Sequence, residues 1–539
     1  MENKKSCKNC QQDFEITQDD LSFYEKIAVP EPTRCWKCRA MRRMAWRNMT
    51  ILYKRKCDFE GEEFVTHMPP NSPIPVYCYE HWISDSWDPL SYGRDYDASR
   101  PFFEQWKELF YSVPWTPQWN YQKVNSDYSI GSSIKNCYLC FDTGNNTEDC
   151  AYCISVQFGK ECYNMVNSKK CELCYWCINT DQSYKTFFSR NCASCTDSWF
   201  LQDCIGCTSC FGCTGLRNKS YYVFNEQYSK EEYKKKLEEL LKDFEGSCKQ
   251  AIETWLAHPV KYMHGFQNKN VTGDYIFNSA DLRMCFFANG AQNGAYSQSV
   301  IYTPVKDFMD VTSVGLAVDL AYESLCAGDQ MSNVIAVNDC GNSLRDAQYS
   351  ANCTQSSDLF GCVGLRNKKY CILNKQYNPD KYKKLRAQII EDMKKRDEYG
   401  EFFPAEMSPF GYNETQAQDY FPLTNKEAIK QGFKWKEPER KKVEISGDII
   451  ACAHAQNCDH LCPGGFRMIP REKDFCDRMR IPYPTLCFNC RYKELISWRN
   501  PPALYKRNCM KCNADIETSY APDRPEIVYC ESCYNAEVA

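Results

Sequence analysis

Two cysteine pairs near the amino terminus, Cys7-x2-Cys10 and Cys35-x2-Cys38, are separated by 24 residues. Thiolates on two tight knuckles can close a tetrahedral shell around Zn2+, and that shell holds together a segment with little apolar core of its own. The carboxyl end repeats the plan 452 residues later: Cys462, Cys487 and Cys490 correspond to Cys10, Cys35 and Cys38. Trp498-Arg499-Asn500 likewise corresponds to Trp46-Arg47-Asn48, and Tyr505-Lys506-Arg507 to Tyr53-Lys54-Arg55. The first knuckle of this second copy departs from the pattern, reading Cys458-x3-Cys462, with Cys452, His454 and His460 crowding the same stretch. The expected ligands are therefore Cys458, Cys462, Cys487 and Cys490, and the identity of the fourth stays open among these neighbours.

Each copy continues into a tighter unit. At the end of the chain Cys509-x2-Cys512 and Cys530-x2-Cys533 make a complete four-thiolate ribbon. In the first copy the equivalents are Cys57, Glu60, Cys78 and His81. Cys57, Cys78 and His81 can bind zinc with Glu60 in the fourth ligand's place; the alternative is a decayed copy held by packing around Trp82. The expected load is three or four Zn2+ per chain.

Between the knuckles and this second unit lie nine basic residues and no acidic one: Arg34, Lys37, Arg39, Arg42, Arg43, Arg47, Lys54, Arg55 and Lys56. Arg39, Arg42 and Arg43 would share a face of a short helix, with Trp36 and Trp46 interleaved. Basic residues beside exposed aromatics suit phosphate contact and base stacking. The alternative places the tryptophans in the core and leaves the arginines a solvated face.

The elements that must carry these groups are announced by a period. Cys150, Cys171, Cys192 and Cys213 recur every 21 residues, as do Cys153, Cys174 and Cys195, with Cys162, Ser183 and Cys204 running between them. A fixed period near 20 without a helical heptad predicts a stacked parallel β-solenoid, one rung per repeat, with equivalent residues about 4.8 Å apart. A second such segment lies 149 residues on, where Leu365-Arg366-Asn367-Lys368 and Asn374, Gln376 and Tyr377 repeat the first closing rung. Cys207 and Cys210 are replaced there by Ser356 and Leu359, so the solenoid cysteines read as small core residues. Metal or disulfide roles for them are the alternative.

The expected fold is mainly β: two tandem parallel β-solenoids, each ended by an α-helix, flanked by duplicated zinc-ribbon modules. The segments are 1–85 and 446–539 for the modules, 86–122 for an aromatic linker with a short helix, and 123–228 and 267–377 for the solenoids. A helical connector spans 229–266, and a helix with irregular linker spans 378–445. With Lys+Arg 66 against Asp+Glu 70, a net charge of -4 marks no global polyanion binder. The amino terminus MENKKSCKNC has no apolar h-region and no apolar run nears the roughly 18 residues that span a bilayer, predicting a protein without membrane contact. A cytoplasmic location, or packaging in a particle assembled there, is expected, and 37 cysteines in a reducing compartment read as ligands and core residues.

The two ends, the segment SPFGYNETQAQDYFPL from Ser408 to Leu423, the LRNKxY…N-x-Q-Y rung and the ending SYAPDRPEIVYCESCY resemble a family of uncharacterised zinc-ribbon proteins. That family is associated mainly with candidate-phyla-radiation bacteria, with relatives in large viruses. The resemblance covers nearly the whole chain and implies kinship, without an activity, substrate or catalytic residue. With six histidines and no phosphate loop, nucleophile elbow or H-E-x-x-H, the sequence predicts no enzyme. The expected function is a zinc-binding scaffold or adaptor, elongated, contacting nucleic acid or a nucleoprotein through its ends. The alternatives are a self-associating structural subunit of a larger particle, a binder of protein partners, a thiol or metal store, and a β-helix carbohydrate-active enzyme.

Overall fold

The computed structural model describes residues 3–116, 121–301, 303–438, 443 and 446–538; parts of the 86–122 and 378–445 linkers thus lie outside the described residues. Two largely parallel sheets dominate, with twelve α-helices among the described residues. No described helix is long and apolar enough to cross a membrane.

The first sheet has eight strands, from Lys123–Val124 to Thr196–Trp199, each paired with its neighbour in sequence. Tyr175 lies beside Tyr163, Tyr163 beside Ala151, and single parallel bridges continue the same step as far as Val223. The step is 12 residues, which corrects the 21-residue rung expected from the cysteine columns. The cause lies in the backbone. Every third residue from Asp149 to Phe224 has a positive φ, so the chain bends after every three residues and one residue of each triplet faces inward. Both 12 and 21 are multiples of three, and the cysteines recur because inward positions do.

A side only three residues long encloses a narrow interior. The column Cys150, Cys162, Cys174, Thr186, Ser198 and Cys210 is buried at every layer and holds nothing larger than threonine. Its side chains also add a second hydrogen bond to carbonyls that already accept a backbone N–H. Cys162 Sγ lies 3.4 Å from Lys160 O and 3.3 Å from Cys171 O, and Cys174 Sγ 3.4 Å from Glu172 O and 3.5 Å from Ser183 O. Thr186 Oγ1 reaches the equivalent carbonyls, Tyr184 O at 3.4 Å and Cys195 O at 3.2 Å. The slot therefore takes a small residue with a donor, which is what Cys, Ser and Thr share.

The second sheet has thirteen strands, and its layers are 11 to 14 residues long, as in Lys269 beside Ala280, Ser357 beside Lys369, Val305 beside Val318 and Ala291 beside Val305. Three of the longer layers place a second left-handed residue at one corner: Leu316 with Ala317, Asp329 with Gln330, Asn342 with Ser343. The wider interior admits aliphatic columns such as Val305, Val318, Met331 and Leu344.

Both stacks end alike. Tyr222–Val223 turns back on Glu226–Gln227, and Lys369–Ile372 on Lys375–Gln376, as antiparallel hairpins. Positive φ at Phe224 and Asn225, and at Leu373 and Asn374, makes the turns that such two-residue hairpins require. Asn225 accepts from Thr214 N and donates to Thr214 O, both at 2.9 Å, and Asn374 does the same to Val363 at 2.8 Å. One side-chain amide thus stands in for the peptide of the missing next layer, which blunts the open edge. A helix follows each, Lys230–Lys242 and Pro379–Lys395, with Tyr233 against Tyr221 and Tyr382 against Tyr370.

Order along the chain is not order of packing. One compact unit joins the described residues of 1–117 to 264–436, and the other joins those of 118–263 to 437–539. The amino-terminal cysteine module thus packs with the second stack and the carboxyl-terminal module with the first.

The packing account of the narrow column gives a test. Cys174→Ser keeps size and donor and should cost less than about 1.5 kcal/mol. Cys174→Leu overfills the slot and should cost about 3 kcal/mol or prevent folding. Urea midpoints of the full chain compare them, and equal midpoints would refute the narrow slot.

Candidate metal centres

Three hairpins in this protein have one geometry. Cys7 N donates to Gln12 O and Gln11 N to Cys7 O, and the same pair of bonds closes Cys57 with Glu62 and Gly61, and Cys509 with Ala514 and Asn513. The residue after each knuckle is left-handed, Gln11 at φ 60, Gly61 at 85 and Asn513 at 60, so the loop doubles back and its two ligand positions face one point. The other half of each site is a helix start. Cys35 and Cys78 are the N-cap residues of Trp36–Met44 and Tyr79–Ile83, and Cys530 directly precedes Glu531–Val538. In the remaining four-sulfur group Cys487 is the N-cap of Phe488–Ile496.

Cys7, Cys10, Cys35 and Cys38 bring one sulfur each within 4.8 Å of the others, and so do Cys509, Cys512, Cys530 and Cys533. Backbone and amide N–H groups support the thiolates: Cys35 N lies 3.3 Å from Cys7 Sγ, Cys530 N 3.2 Å from Cys509 Sγ, and Asn9 Nδ2 3.4 Å from Cys38 Sγ. The neighbouring Cys38 thiol and nearby backbone groups hold Cys35 down to about 5, in the range where it is a thiolate ready to ligate. Four convergent sulfurs around a point suit a tetrahedral metal ion.

In the second copy the ligand taking the place of Cys7 is Cys452. Cys487 N lies 3.3 Å from Cys452 Sγ, as Cys35 N does from Cys7 Sγ, and Cys462 Sγ lies 3.8 Å from Cys487 Sγ, as Cys10 Sγ does from Cys35 Sγ. Cys452, Cys462, Cys487 and Cys490 form the four-sulfur group. The expected set with Cys458 is corrected on this point: spacing alone favoured the nearer cysteine, whereas the strand Ile449–Ala451 delivers Cys452. Cys458 instead gathers with His454, His460 and Cys490.

Cys57, Cys78 and His81 also converge, with Cys78 Sγ 2.8 Å from His81 Nδ1 and Cys78 N 3.2 Å from Cys57 Sγ. Glu60 is not gathered with them; its Oε1 lies 2.7 Å from His81 Nε2. It braces the ring from the opposite nitrogen, the place of an outer partner rather than of a ligand. Phe59 stacks on His81 at 5.0 Å, and Trp82 is buried beside the site. Three protein ligands leave a fourth tetrahedral position to an added ligand or water.

The basic segment is elsewhere than expected. Arg39, Arg42 and Arg43 are 2%, 5% and 0% exposed, inside the unit and against the second stack. Arg39 Nε meets Asp310 at 2.8 Å, Arg43 meets Asp310 at 3.3 Å and Glu323 at 2.9 Å, and Arg42 meets Glu323 at 2.8 Å. Arg42 also pairs with Glu401, which Arg34 reaches at 2.7 Å. Asp310 and Glu323 lie on adjacent strands, one position before the paired Val311 and Ser324. Two buried carboxylates one layer apart repel, and the guanidinium groups compensate them. Neither sequence-based alternative holds for these three residues: they are not a polyanion surface and not a solvated face. Trp46 is buried as the second alternative expected, and Trp36 is half-buried. Of the remainder, Lys37, Lys54 and Lys56 are exposed, while Arg47 and Arg55 are half-buried.

The other unit repeats the principle with fewer charges. Arg491, the counterpart of Arg39, meets Glu472 at 2.6 Å and lies over the Tyr152 ring at 4.5 Å. Both arginines donate to the carbonyl five residues back, Arg39 to Arg34 O at 2.6 Å and Arg491 to Leu486 O at 2.7 Å. No spacing rule could have found Asp310, Glu323 or Glu401 as partners, because they lie more than 250 positions away in sequence, whereas Glu472 is 19 residues from Arg491. No family model and no curated protein matches the chain.

Two measurements check the network. Arg43→Ala should destabilise by about 3–5 kcal/mol by stranding Asp310 and Glu323, read as a urea midpoint; a loss under about 1 kcal/mol would contradict it. The second is pH dependence. Burial pushes the Glu401 carboxyl up, but Arg42 and Arg34 outweigh burial and hold it well below the usual range. Its stabilisation is therefore present above the unfolded value of about 4.3 and fades as pH falls below it. The wild-type midpoint should drop more steeply below about pH 4 than that of Glu401→Gln, and parallel curves would contradict the assignment.

Proposed function

We propose that this protein is a non-enzymatic zinc-binding scaffold. Two β-solenoids provide rigid surfaces, and duplicated zinc-ribbon modules clasp them, the amino-terminal module on the second solenoid and the carboxyl-terminal module on the first. The observation that carries this reading is the burial of the knuckle-helix arginines against carboxylates, Arg39 on Asp310 and Arg491 on Glu472. A helix whose first residue is a metal ligand, and whose next turn enters the core, serves packing before it serves any outside partner. Zinc is favoured over other ions by all-thiolate and thiolate-imidazole donor sets in tetrahedral reach.

For a partner, we favour weak contact with nucleic acid through what the core leaves outside: Lys37, Lys54 and Lys56. Affinity from so few cations is modest, falls steeply with salt and ignores sequence.

Elemental analysis of protein purified without added metal should find at least four zinc ions per chain, one for each of the three four-sulfur groups and one for Cys57, Cys78 and His81. One or none would end the reading. Titration with single- and double-stranded RNA and DNA at two salt concentrations checks the partner. Replacing Lys37, Lys54 and Lys56 by Ala should abolish the salt-dependent part, and a wild type that binds none of the four would point to a protein partner.

A further inference from the structure

Nine residues separate Cys452 from Cys462 where two separate Cys7 from Cys10, and the longer loop carries His454, Cys458 and His460. All three converge on a sulfur that is already in use. One ligand atom from each of His454, Cys458, His460 and Cys490 lies within 4.8 Å of the others, while Cys490 also completes the group with Cys452, Cys462 and Cys487. Cys458 Sγ is 3.7 Å from Cys490 Sγ.

The equivalent sulfur in the other module shows what the loop replaces. Cys38 Sγ accepts a hydrogen bond from Asn9 Nδ2 at 3.4 Å. The residue corresponding to Asn9 is Leu461, whose side chain has no donor to offer Cys490. A thiolate keeps lone pairs beyond the one given to its first metal, and at Cys490 these face the histidine-bearing loop. The imidazoles supply a second observation: Nδ1 of His454 and Nδ1 of His460 are buried without a hydrogen-bond partner, the rings 5.6 Å apart. Burying such nitrogens unpaired is unfavourable, and a cation at this point relieves it. Charge argues the same way. The four thiolates of the first group leave one divalent ion with a formal charge of −2 (2 − 4), and a second ion held with the Cys458 thiolate reduces it to −1 (4 − 5).

We propose that the carboxyl-terminal module holds two divalent ions of the zinc class in one cluster, bridged by the Cys490 thiolate. Cys452, Cys462 and Cys487 complete the first shell, and His454, Cys458 and His460 complete the second. The inference rests on the zinc reading of the four-sulfur groups, and the test separates the two.

The full chain is loaded with Co2+, and its metal count is read by native mass spectrometry. Wild type should carry one ion more than the double variant His454→Ala/His460→Ala, with the other ions retained in both. A single bridging sulfur couples the spins of two cobalt ions. The paramagnetic resonance intensity of wild type should therefore fall short of its cobalt content, and in the double variant it should match. Equal counts in the two proteins, with the four-sulfur groups filled, overturn the second ion alone. A full count with uncoupled spins overturns the bridge. A chain that takes up no cobalt at any group overturns both this inference and the zinc reading beneath it. The wild-type spin measurement needs no variant, so it stands even where the substitutions disturb folding.

Discussion

A bend at every third residue is the constraint from which the rest of the structure follows. It makes each side of a layer three residues long, so one residue faces in and the interior slot is set by chain geometry. In the first stack the column from Cys150 to Cys210 accepts cysteine, serine and threonine. Their donors add a second hydrogen bond to carbonyls that already accept a backbone N–H, while the adjoining inward positions also admit Met165 and Leu201. The same bend puts left-handed residues in outward columns, one layer apart. Asp310 and Glu323 occupy such a column with φ of 54° and 46°, following Met284 and Tyr296 in the layers before. Like charges held at that spacing are tolerable only with cations pressed against them, and the amino-terminal module supplies these as Arg39, Arg42 and Arg43.

Metal ligand, helix start and buried arginine are one connected device. Cys35 and Cys487 each cap the helix whose first turn carries the arginine, so a metal ion held by the cysteine group would also aim the guanidinium. The two units vary the partner. Around Arg39 the stack offers carboxylates. Around Arg491 it offers Tyr152, Tyr175 and Asn164, and the carboxylate, Glu472, comes from the module's own helix Pro470–Met479. The second copy could therefore lose the counterparts of Arg42 and Arg43, now Glu494 and Leu495, and still dock. A buried carboxylate at the first helix is common to both, Asp20 with Arg283 and Tyr296, and Glu472 with Arg491.

Much of this was legible in the sequence, and what was not has physical reasons. The cysteine knuckles at both ends, the parallel stacks, their offset of 149 residues and the closing helices could all be read, because each is a local pattern repeated. The layer length was misread, since cysteines mark inward positions and inward positions recur every three residues, not once per layer. The N-x-Q-Y motif was visible as a repeat, but its purpose, an asparagine amide standing in for an absent strand, needed coordinates. Nine basic residues in a row looked like a surface because their partners, Asp310, Glu323 and Glu401, lie more than 250 positions away. Cys452 was passed over for Cys458 because spacing measures distance along the chain, and the strand before Cys452 sets distance in space.

The central claim is that the metal-bound modules hold the walls of the stacks they pack on. Hydrogen–deuterium exchange of the full chain before and after metal removal by a chelator at neutral pH, read peptide by peptide, tests it most directly. The account predicts that amides of 305–328 and of 163–178, the strands that meet Arg39–Arg43 and Arg491, lose protection together with the cysteine modules. Modules that open while those strands stay fully protected would contradict it.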